Sequence, residues 1–238
     1  MPSTPTPTPD AIKTTGRGGS RPRAGRKPLP WRKGAPHVKR TWFQGLNCFH
    51  VTLSLLPGLP SLRSPRMVAA LSDAFRAAIA AERLAPLVWS LQRTHCHMIF
   101  EAASPEELAR GMPGLVIRMA RRIKRVLERK GTGFAGRFYS TILSPTTNLS
   151  RMLRYVLLNH KKHERGVPGA PRIDFASSGF WFDGWLDPPP FQVPPGPPPV
   201  AAPRSSFLRE HWRMHAPIGL HEYPGPGRFT NQAPLALS

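Results

Sequence analysis

The sequence predicts an α+β fold, a ferredoxin-like sandwich of order β-α-β-β-α-β with an additional C-terminal helix. Three observations lead to this prediction. Short segments with strand-like alternation are separated by longer segments with helical periodicity. Only three residues separate the second and third predicted strands, which indicates a hairpin. That hairpin lies between two βαβ units, which is the ferredoxin-like pattern.

The first half of the fold is predicted from residue 48 to residue 102. The segment "CFHVTLSLL" at 48–56 alternates and is rich in β-forming residues, which predicts the first strand. After the turn "GLPSLRSP", the Ala-rich segment from 67 to about 83 has helical periodicity. The segments "LVWSLQ" at 87–92 and "CHMIFEA" at 96–102 are the predicted second and third strands.

The second half follows the same pattern. Ser104 is a predicted N-cap, with Pro105 at the first helical position and acidic residues in the first turn. A helix is predicted from about 114 to 130, with a buried stripe at every fourth residue. The stripe consists of Leu115, Met119, Ile123 and Leu127. The fourth strand is predicted at 136–144, and the last helix runs from Pro145 or Asn148 to about His163.

Composition limits the partners of this chain. Its 238 residues carry a formal net charge of +21, which predicts a polyanionic partner such as nucleic acid. An anionic membrane is the alternative, but the chain has neither a run of about 18 apolar residues nor a signal peptide. Two cysteines, Cys48 and Cys96, form no disulfide framework. We therefore expect no membrane association and a cytoplasmic location, at the nucleoid through DNA.

The chain divides into three predicted regions. Residues 1–45 form a disordered basic arm, since the first 40 residues hold ten Lys/Arg and one Asp among Pro, Gly, Ser and Thr. Residues 46–186 form the folded domain. Residues 187–238 form a proline-rich, mostly disordered tail, which begins with a polyproline-type linker at 187–203. No role is predicted for residues 204–238.

Two histidines stand at the start of the third predicted strand, within "RTHCHMIF": His95 directly before it and His97 inside it. Side chains alternate along a strand, so His95 and His97 point to one face and Cys96 to the other. Two imidazoles on one face can bind one divalent metal, but an H-x-H pair also fits a strand with packed histidines. The last helix carries Tyr155 and Asn159 at i and i+4, and hence on one face.

Basic residues concentrate around these elements. Residues 110–165 hold fourteen Lys/Arg against two Glu, which favours phosphate contacts collectively, although a solvated charged face explains any single Arg equally well. The predicted DNA-binding residues are Arg118, Arg121, Arg122, Arg125, Arg137, Arg151, Arg154, Lys161 and Lys162.

Taken together, four segments resemble the single-tyrosine HUH transposases, which include insertion-sequence-200-like and REP-associated tyrosine transposases. The segments are "FHVTLSLLPGLPSLR", "THCHMIFEA", "GFAGRFYSTIL" and "RMLRYVLLNHKKH", within about residues 46–165. The chain departs from the family pattern at Thr94, Cys96 and His160. None of these departures removes a catalytic group.

The resemblance implies a metal-dependent strand transferase. His95, His97 and Asn159 would bind the metal, and Tyr155 would be the nucleophile. Histidine and oxygen ligands suit Mg²⁺ or Mn²⁺. The implied substrate is single-stranded DNA beside a hairpin, cleaved and rejoined through a 5′-phosphotyrosine in DNA transposition. A homodimer, in which the tyrosine helix serves the partner subunit, also occurs in part of the family.

Two alternatives remain open at the level of sequence. One is a domesticated or inactive relative that binds DNA hairpins without cutting them. The other is a ferredoxin-like nucleic-acid-binding module of the RNA-recognition type, which needs aromatic residues on its outer strands and neither the metal nor the tyrosine.

Overall fold

An antiparallel sheet of four strands organises the structure, a computed structural model that describes residues 46–143, 147–162, 172–186, 188–205, 208–210 and 217–225. The predicted basic arm lies outside these ranges. The strands of the sheet are β1 (Asn47–Ser54), β2 (Val88–Leu91), β3 (His95–Ala102) and β4 (Tyr139–Leu143). The helices are α1 (Pro65–Ala80), α2 (Pro105–Val126) and α3 (Thr147–Leu157). The architecture is thus mixed, with an antiparallel sheet and several helices.

The sheet has the order β2-β3-β1-β4, and each neighbouring pair is antiparallel. Its register pairs Thr52 of β1 with His97 of β3 on one side and with Tyr139 of β4 on the other. Directly opposed residues share a face, so these three side chains lie on the same side of the sheet. We call this side the histidine face. It also carries His50, Ser54, His95, Ile99 and Thr141.

The opposite face of the sheet is apolar and packs on α1 and α2. Val51, Leu53, Cys96, Met98 and Phe100 are all buried there. The prediction that Cys96 packs behind the histidines is therefore confirmed. Burial raises the pKa of the Cys96 thiol to about 12, so this side chain is neutral and part of the core.

Helix α2 is longer than predicted. It begins at Pro105 after Ser104, whose hydroxyl accepts a hydrogen bond from the Glu107 backbone N–H, as an N-cap does. It then continues through Pro113 as one element of 22 residues, where the sequence suggested a break. One buried stripe spans the proline, and packing of this stripe outweighs the hydrogen bond that proline removes. The stripe consists of Leu108, Met112, Leu115, Met119 and Ile123.

Helix α2 approaches the loop after α1 closely at Gly111, and Gly114 of the same helix provides a control. A Cβ at Gly111 would lie 2.5 Å from the Leu84 Cβ, whereas a Cβ at Gly114 meets only the Arg118 guanidinium at 3.4 Å. We expect Gly111→Ala to lower the free energy of unfolding by about 1–3 kcal/mol through overpacking. The matched control, Gly114→Ala, should raise it by up to about 1 kcal/mol. Urea unfolding of both variants checks this, and equal effects would contradict the close approach.

Helix α3 packs on the histidine face and forms a second apolar cluster there. Its residues Leu149, Met152, Leu153, Val156 and Leu157 are buried against the sheet and the C-terminal segments. The helix is shorter than predicted. It ends at Leu157, and a 3₁₀ turn follows at Asn159–Lys162. The 3₁₀ geometry advances 120° per residue, so the face of α3 does not continue into this turn unchanged.

Segments after residue 171 complete the domain. The backbone at Ser177 pairs with Ser90 of β2, and a 3₁₀ turn follows at Ser178–Trp181. Short strands β5 (Trp185–Leu186) and β6 (Ile218–Gly219) form a parallel pair. The segment "WFDGW" at 181–185 thus runs from the end of this 3₁₀ turn to the start of β5.

The proline-rich linker contacts the folded domain. Pro199 is buried, and its carbonyl accepts a hydrogen bond of 3.0 Å from the Trp89 indole N–H. The Ala201 N–H donates to the Pro86 carbonyl, and the buried Glu101 carboxylate accepts from the backbone N–H groups of Arg204 and Ser205. The sequence predicted a mostly disordered tail at 187–238, and the described residues 188–205 differ from that prediction by packing on the domain. These residues have little regular structure, yet they pack because proline-rich chain needs no ladder partner and its carbonyls still accept hydrogen bonds.

None of the helices in the described ranges is long and apolar enough to cross a lipid bilayer.

Candidate active site on the histidine face

Three histidines and one tyrosine meet on the histidine face. His95 and His97 come from β3 and His50 from β1, while Tyr155 reaches down from α3. The Nε2 atoms of His95 and His97 lie 3.0 Å apart, and the Tyr155 hydroxyl lies 3.4 Å from His97 Nε2. The Tyr155 ring meets the His97 ring edge to face, with centroids 4.9 Å apart. A single chain therefore places the tyrosine beside its own histidines.

His97 is the centre of this group and is only 4% exposed. Its Nδ1 atom lies 3.1 Å from His50 Nε2 and 3.2 Å from the Thr52 hydroxyl oxygen. His95 is half-buried, and its Nδ1 atom lies 3.3 Å from the Thr94 hydroxyl oxygen. Each of the two predicted ligand histidines thus has its Nδ1 next to a polar group while its Nε2 points to the other histidine.

His50 and Thr52 are members of the site that the sequence did not suggest. They alternate along "FHVT" as His95 and His97 alternate along "HCH", so they occupy one face of β1. That alternation was visible in the sequence. Only the pairing of Thr52 with His97 shows that the two polar rows lie side by side.

Burial keeps His50 neutral. Burial, with the nearby His95 charge as a smaller cause, lowers the pKa of His50 to about 4. The unfolded chain, with an ordinary histidine pKa near 6.5, therefore binds more protons than the folded chain between about pH 4 and pH 6.5. The contribution of neutral His50 to the free energy of unfolding is fully present above about pH 6.5 and is lost as the pH falls towards 4.

We expect acid to destabilise the metal-free protein in a way that depends on His50. In EDTA, His50 should account for a loss of up to about 3 kcal/mol in unfolding free energy between pH 7 and pH 4. The control is His50→Gln, which does not titrate and should show a smaller loss over the same range. Denaturant unfolding at several pH values measures the difference. Parallel pH profiles for the two proteins would show that His50 is not held neutral.

Asn159 follows Tyr155 by four residues, but it lies in the 3₁₀ turn after α3 and is buried. It begins the 3₁₀ turn, is 2% exposed, and its amide nitrogen has no hydrogen-bond partner among the described residues. The contacts that join the histidines and Tyr155 do not include Asn159. Tyr155, His95 and His97 are thus brought together, while Asn159 lies buried beyond the end of α3.

The predicted DNA-binding residues separate into two groups. Those on α2 lie across the sheet from the histidine face, because α2 packs on the opposite side. Of that group, Arg121 and Arg125 are exposed, Arg122 is half-buried, and the Arg118 guanidinium donates to the Gly114 carbonyl of its own helix. Arg137, before β4, and Arg151, on α3, are exposed.

The remaining predicted DNA contacts are bonded to the segment 217–225. Arg154 forms an ion pair with Glu222 and donates to the Pro217 carbonyl at 3.2 Å. The Lys161 ammonium donates to the carbonyls of Leu220 and Glu222. The Lys162 ammonium donates to the Gly225 carbonyl at 2.7 Å and lies 4.4 Å from the Tyr155 ring centroid. In this arrangement the three cationic groups are occupied by the chain itself.

No protein-family model matches this chain, and no curated protein matches its sequence. Among solved structures it is similar to a REP-associated tyrosine transposase bound to a REP hairpin, with 15% identity and a TM-score of 0.44. The match covers 55% of this chain and 75% of the other. A likeness at this level concerns the backbone arrangement alone and assigns no function to this chain.

Proposed function

We propose that this protein is a DNA strand transferase of the single-tyrosine HUH type, with Tyr155 as nucleophile. The observation that carries the proposal is the Tyr155 hydroxyl 3.4 Å from His97 Nε2, with His95 Nε2 a further 3.0 Å away from that atom. We also assign the sheet to the ferredoxin-like class. The order β2-β3-β1-β4 supports this, because two βαβ units around a hairpin produce it.

The donor atoms fit a divalent metal. The Nε2 atoms of His95 and His97 lie 3.0 Å apart, so both imidazoles could hold one divalent ion between them. Within the described residues, no three His, Cys, Asp or Glu side chains are arranged to hold a metal. The third ligand that the resemblance implies is the amide oxygen of Asn159, which is buried at the start of the 3₁₀ turn after α3. We propose His95, His97 and Asn159 as ligands of Mg²⁺ or Mn²⁺.

The reaction follows from the chemistry of the tyrosine. Tyr155 loses its proton and its oxygen attacks phosphorus, which forms a 5′-phosphotyrosine and breaks the bond to the 3′-oxygen. The leaving 3′-oxygen takes up one proton, so protons balance, and a different 3′-hydroxyl can reverse the step. A bound divalent ion would supply positive charge at the scissile phosphate. The Lys162 ammonium over the Tyr155 ring adds further positive charge beside the nucleophile.

Single-stranded DNA near a hairpin is the proposed substrate, with a net charge of +21 supporting a polyanion. Tyr139 supports an unpaired DNA strand as the substrate. It lies on the histidine face and is 58% exposed, so a base of such a strand can stack on its ring. An RNA-recognition module is less well supported. Such a module could also stack a base on Tyr139 of the outer strand β4, but it gives no role to the cluster of His95, His97 and Tyr155.

A doubly labelled hairpin library tests the proposed function. The purified protein is mixed with single-stranded oligonucleotides that carry a hairpin, randomised flanks, one dye at the 5′ end and another at the 3′ end. With Mn²⁺ or Mg²⁺, we expect a covalent adduct on a denaturing gel that carries only the 3′ dye, and a shortened fragment with the 5′ dye. EDTA should abolish both. Hairpin binding without any adduct would instead favour a relative that binds but does not cut.

Two arginines of α3 separate DNA contacts from structural contacts. Arg151 is exposed, whereas Arg154 is paired with Glu222. We expect Arg151→Gln to reduce the salt dependence of hairpin binding by about one unit of slope. Arg154→Gln should leave that slope unchanged and lower the free energy of unfolding. Binding measured at several salt concentrations distinguishes them, and a loss of slope in Arg154→Gln would show that the Glu222 pair opens for DNA.

A further inference from the structure

His50 lies where it can control the proton on His97. It is 5% exposed, and its Nε2 atom is 3.1 Å from His97 Nδ1. The two rings stack with centroids 5.1 Å apart and planes at 30°, and the Tyr155 ring meets His50 edge-on with centroids 6.0 Å apart. His50 thus contacts both the central histidine and the tyrosine, from the side of His97 that faces away from His95.

Metal binding through His97 Nε2 requires the ring proton of His97 on Nδ1, and the neighbours of both nitrogens are compatible with that tautomer. Two groups that can donate approach this atom, the Tyr155 hydroxyl at 3.4 Å and His95 Nε2 at 3.0 Å. A neutral imidazole nitrogen accepts only when the ring proton is on the other nitrogen. The proton of His97 then belongs on Nδ1, where it needs an acceptor. The Thr94 hydroxyl, 3.3 Å from His95 Nδ1, can donate there and leave His95 Nε2 as a donor.

Two acceptors are within reach of that proton, His50 Nε2 at 3.1 Å and the Thr52 hydroxyl oxygen at 3.2 Å. If His50 donated instead, the proton of His97 would be on Nε2, and the Tyr155 oxygen or a His95 Nε2 lone pair would accept it. Both arrangements satisfy the hydrogen bonds, but only an accepting His50 leaves the His97 Nε2 lone pair available to a metal ion.

We propose that His50 is a positioning residue that accepts the Nδ1–H of His97 and so keeps the His97 Nε2 lone pair directed at the reaction site. Its value to catalysis rests on the proposed function, because a metal-binding histidine presents the nitrogen opposite its hydrogen-bonded N–H. The choice of tautomer rests on the same ground, although its measurement needs no metal. His50 lies on β1, outside the sequence motifs that contain His95, His97 and Tyr155, so those motifs do not point to it.

The first test measures the tautomer in the metal-free protein. The full chain with ¹⁵N-labelled histidine is studied in EDTA by NMR correlation spectra that distinguish Nδ1–H from Nε2–H. We expect His97 to carry its proton on Nδ1 in the wild type. His50→Phe keeps a ring but cannot accept, and should shift His97 towards Nε2–H or a mixture. His50→Gln offers an amide oxygen and should restore Nδ1–H. A wild-type His97 protonated on Nε2 would overturn the proposal without any variant.

The second test measures metal binding by titration calorimetry with Mn²⁺. We expect His50→Phe to weaken Mn²⁺ binding about 10–100-fold, and His50→Gln to stay close to the wild type. Thr52→Val, which removes the other candidate acceptor, should have less effect than His50→Phe. If Thr52→Val has the larger effect on binding and on the tautomer, Thr52 is the positioning residue and the proposal fails.

The outcomes separate this inference from the proposed function. If the wild type binds Mn²⁺ and His97→Ala abolishes binding, while His50→Phe binds equally well, only the role of His50 is refuted. If the wild type shows no Mn²⁺ binding that depends on His95 and His97, the proposed function fails. The tautomer spectra then still decide whether His50 accepts from His97.

Discussion

Tyr155→Phe is expected to abolish the covalent protein–DNA adduct, with a reduction of at least about a thousandfold. The substitution removes one oxygen atom and keeps the ring that packs against His97 and His50. Since the adduct is a bond from that oxygen to phosphorus, no neighbouring group can replace it. The hairpin library with a 3′ dye measures the effect as the amount of dye that stays with the protein on a denaturing gel.

The chain contains its own matched control for this experiment. Tyr139 is an exposed tyrosine on the same face of the sheet, and Tyr223 is exposed in the C-terminal segment. Tyr139→Phe and Tyr223→Phe should both form the adduct. The hairpin affinity of Tyr155→Phe should stay near that of the wild type, which shows that chemistry rather than binding is lost. An adduct that survives in Tyr155→Phe and disappears in one of the controls would identify a different nucleophile.

The largest expected effect on stability is that of Trp89→Ala, at about 3–5 kcal/mol. Trp89 is fully buried on β2 and packs against Phe75 of α1, with ring centroids 5.3 Å apart. Its indole N–H also donates to the buried Pro199 carbonyl. Truncation to alanine leaves a cavity between the sheet and α1 and removes the hydrogen bond that holds the proline-rich segment.

Phenylalanine substitutions separate these two contributions. Trp89→Phe retains most of the ring but leaves the Pro199 carbonyl without its donor, so we expect a loss of about 1–3 kcal/mol. The control is Trp181→Phe, because the indole N–H of Trp181 has no hydrogen-bond partner in the described part of the chain. Trp181→Phe should change the free energy of unfolding by no more than about 0.5 kcal/mol. Urea unfolding measures all three, and equal losses in the two phenylalanine variants would show that the bond to Pro199 contributes nothing.

Most of the helices and strands were accessible from local patterns. Alternation marked the strands, and Ser104 with Pro105 marked the start of α2, since capping depends on residues within one turn. The ends of the helices were harder to predict from the sequence where tertiary packing determines them. Helix α2 continues through Pro113 because its apolar stripe is buried against α1 and the sheet. Helix α3 ends at Leu157, where no glycine or proline marks the end in the sequence.

The candidate site was only partly accessible. His95 and His97 share a face by the alternation of a strand, and the structure places the Tyr155 hydroxyl beside them. His50 and Thr52 could not be assigned to the site, because their proximity to His97 depends on the pairing of β1 with β3. The occupation of Arg154, Lys161 and Lys162 by residues 217–225 could not be foreseen either, as it joins parts of the chain about 60 residues apart.

The amino-acid sequence alone was sufficient for properties that depend on near neighbours or on sums. These are the excess of positive charge, the period-2 placement of His95 and His97, and the N-cap of α2 at Ser104. Strand register and the closure of long loops decided the rest: His50 next to His97, Tyr155 above them, and the proline-rich segment against Trp89. Such contacts depend on the free energy of the whole packed domain, which no local pattern contains.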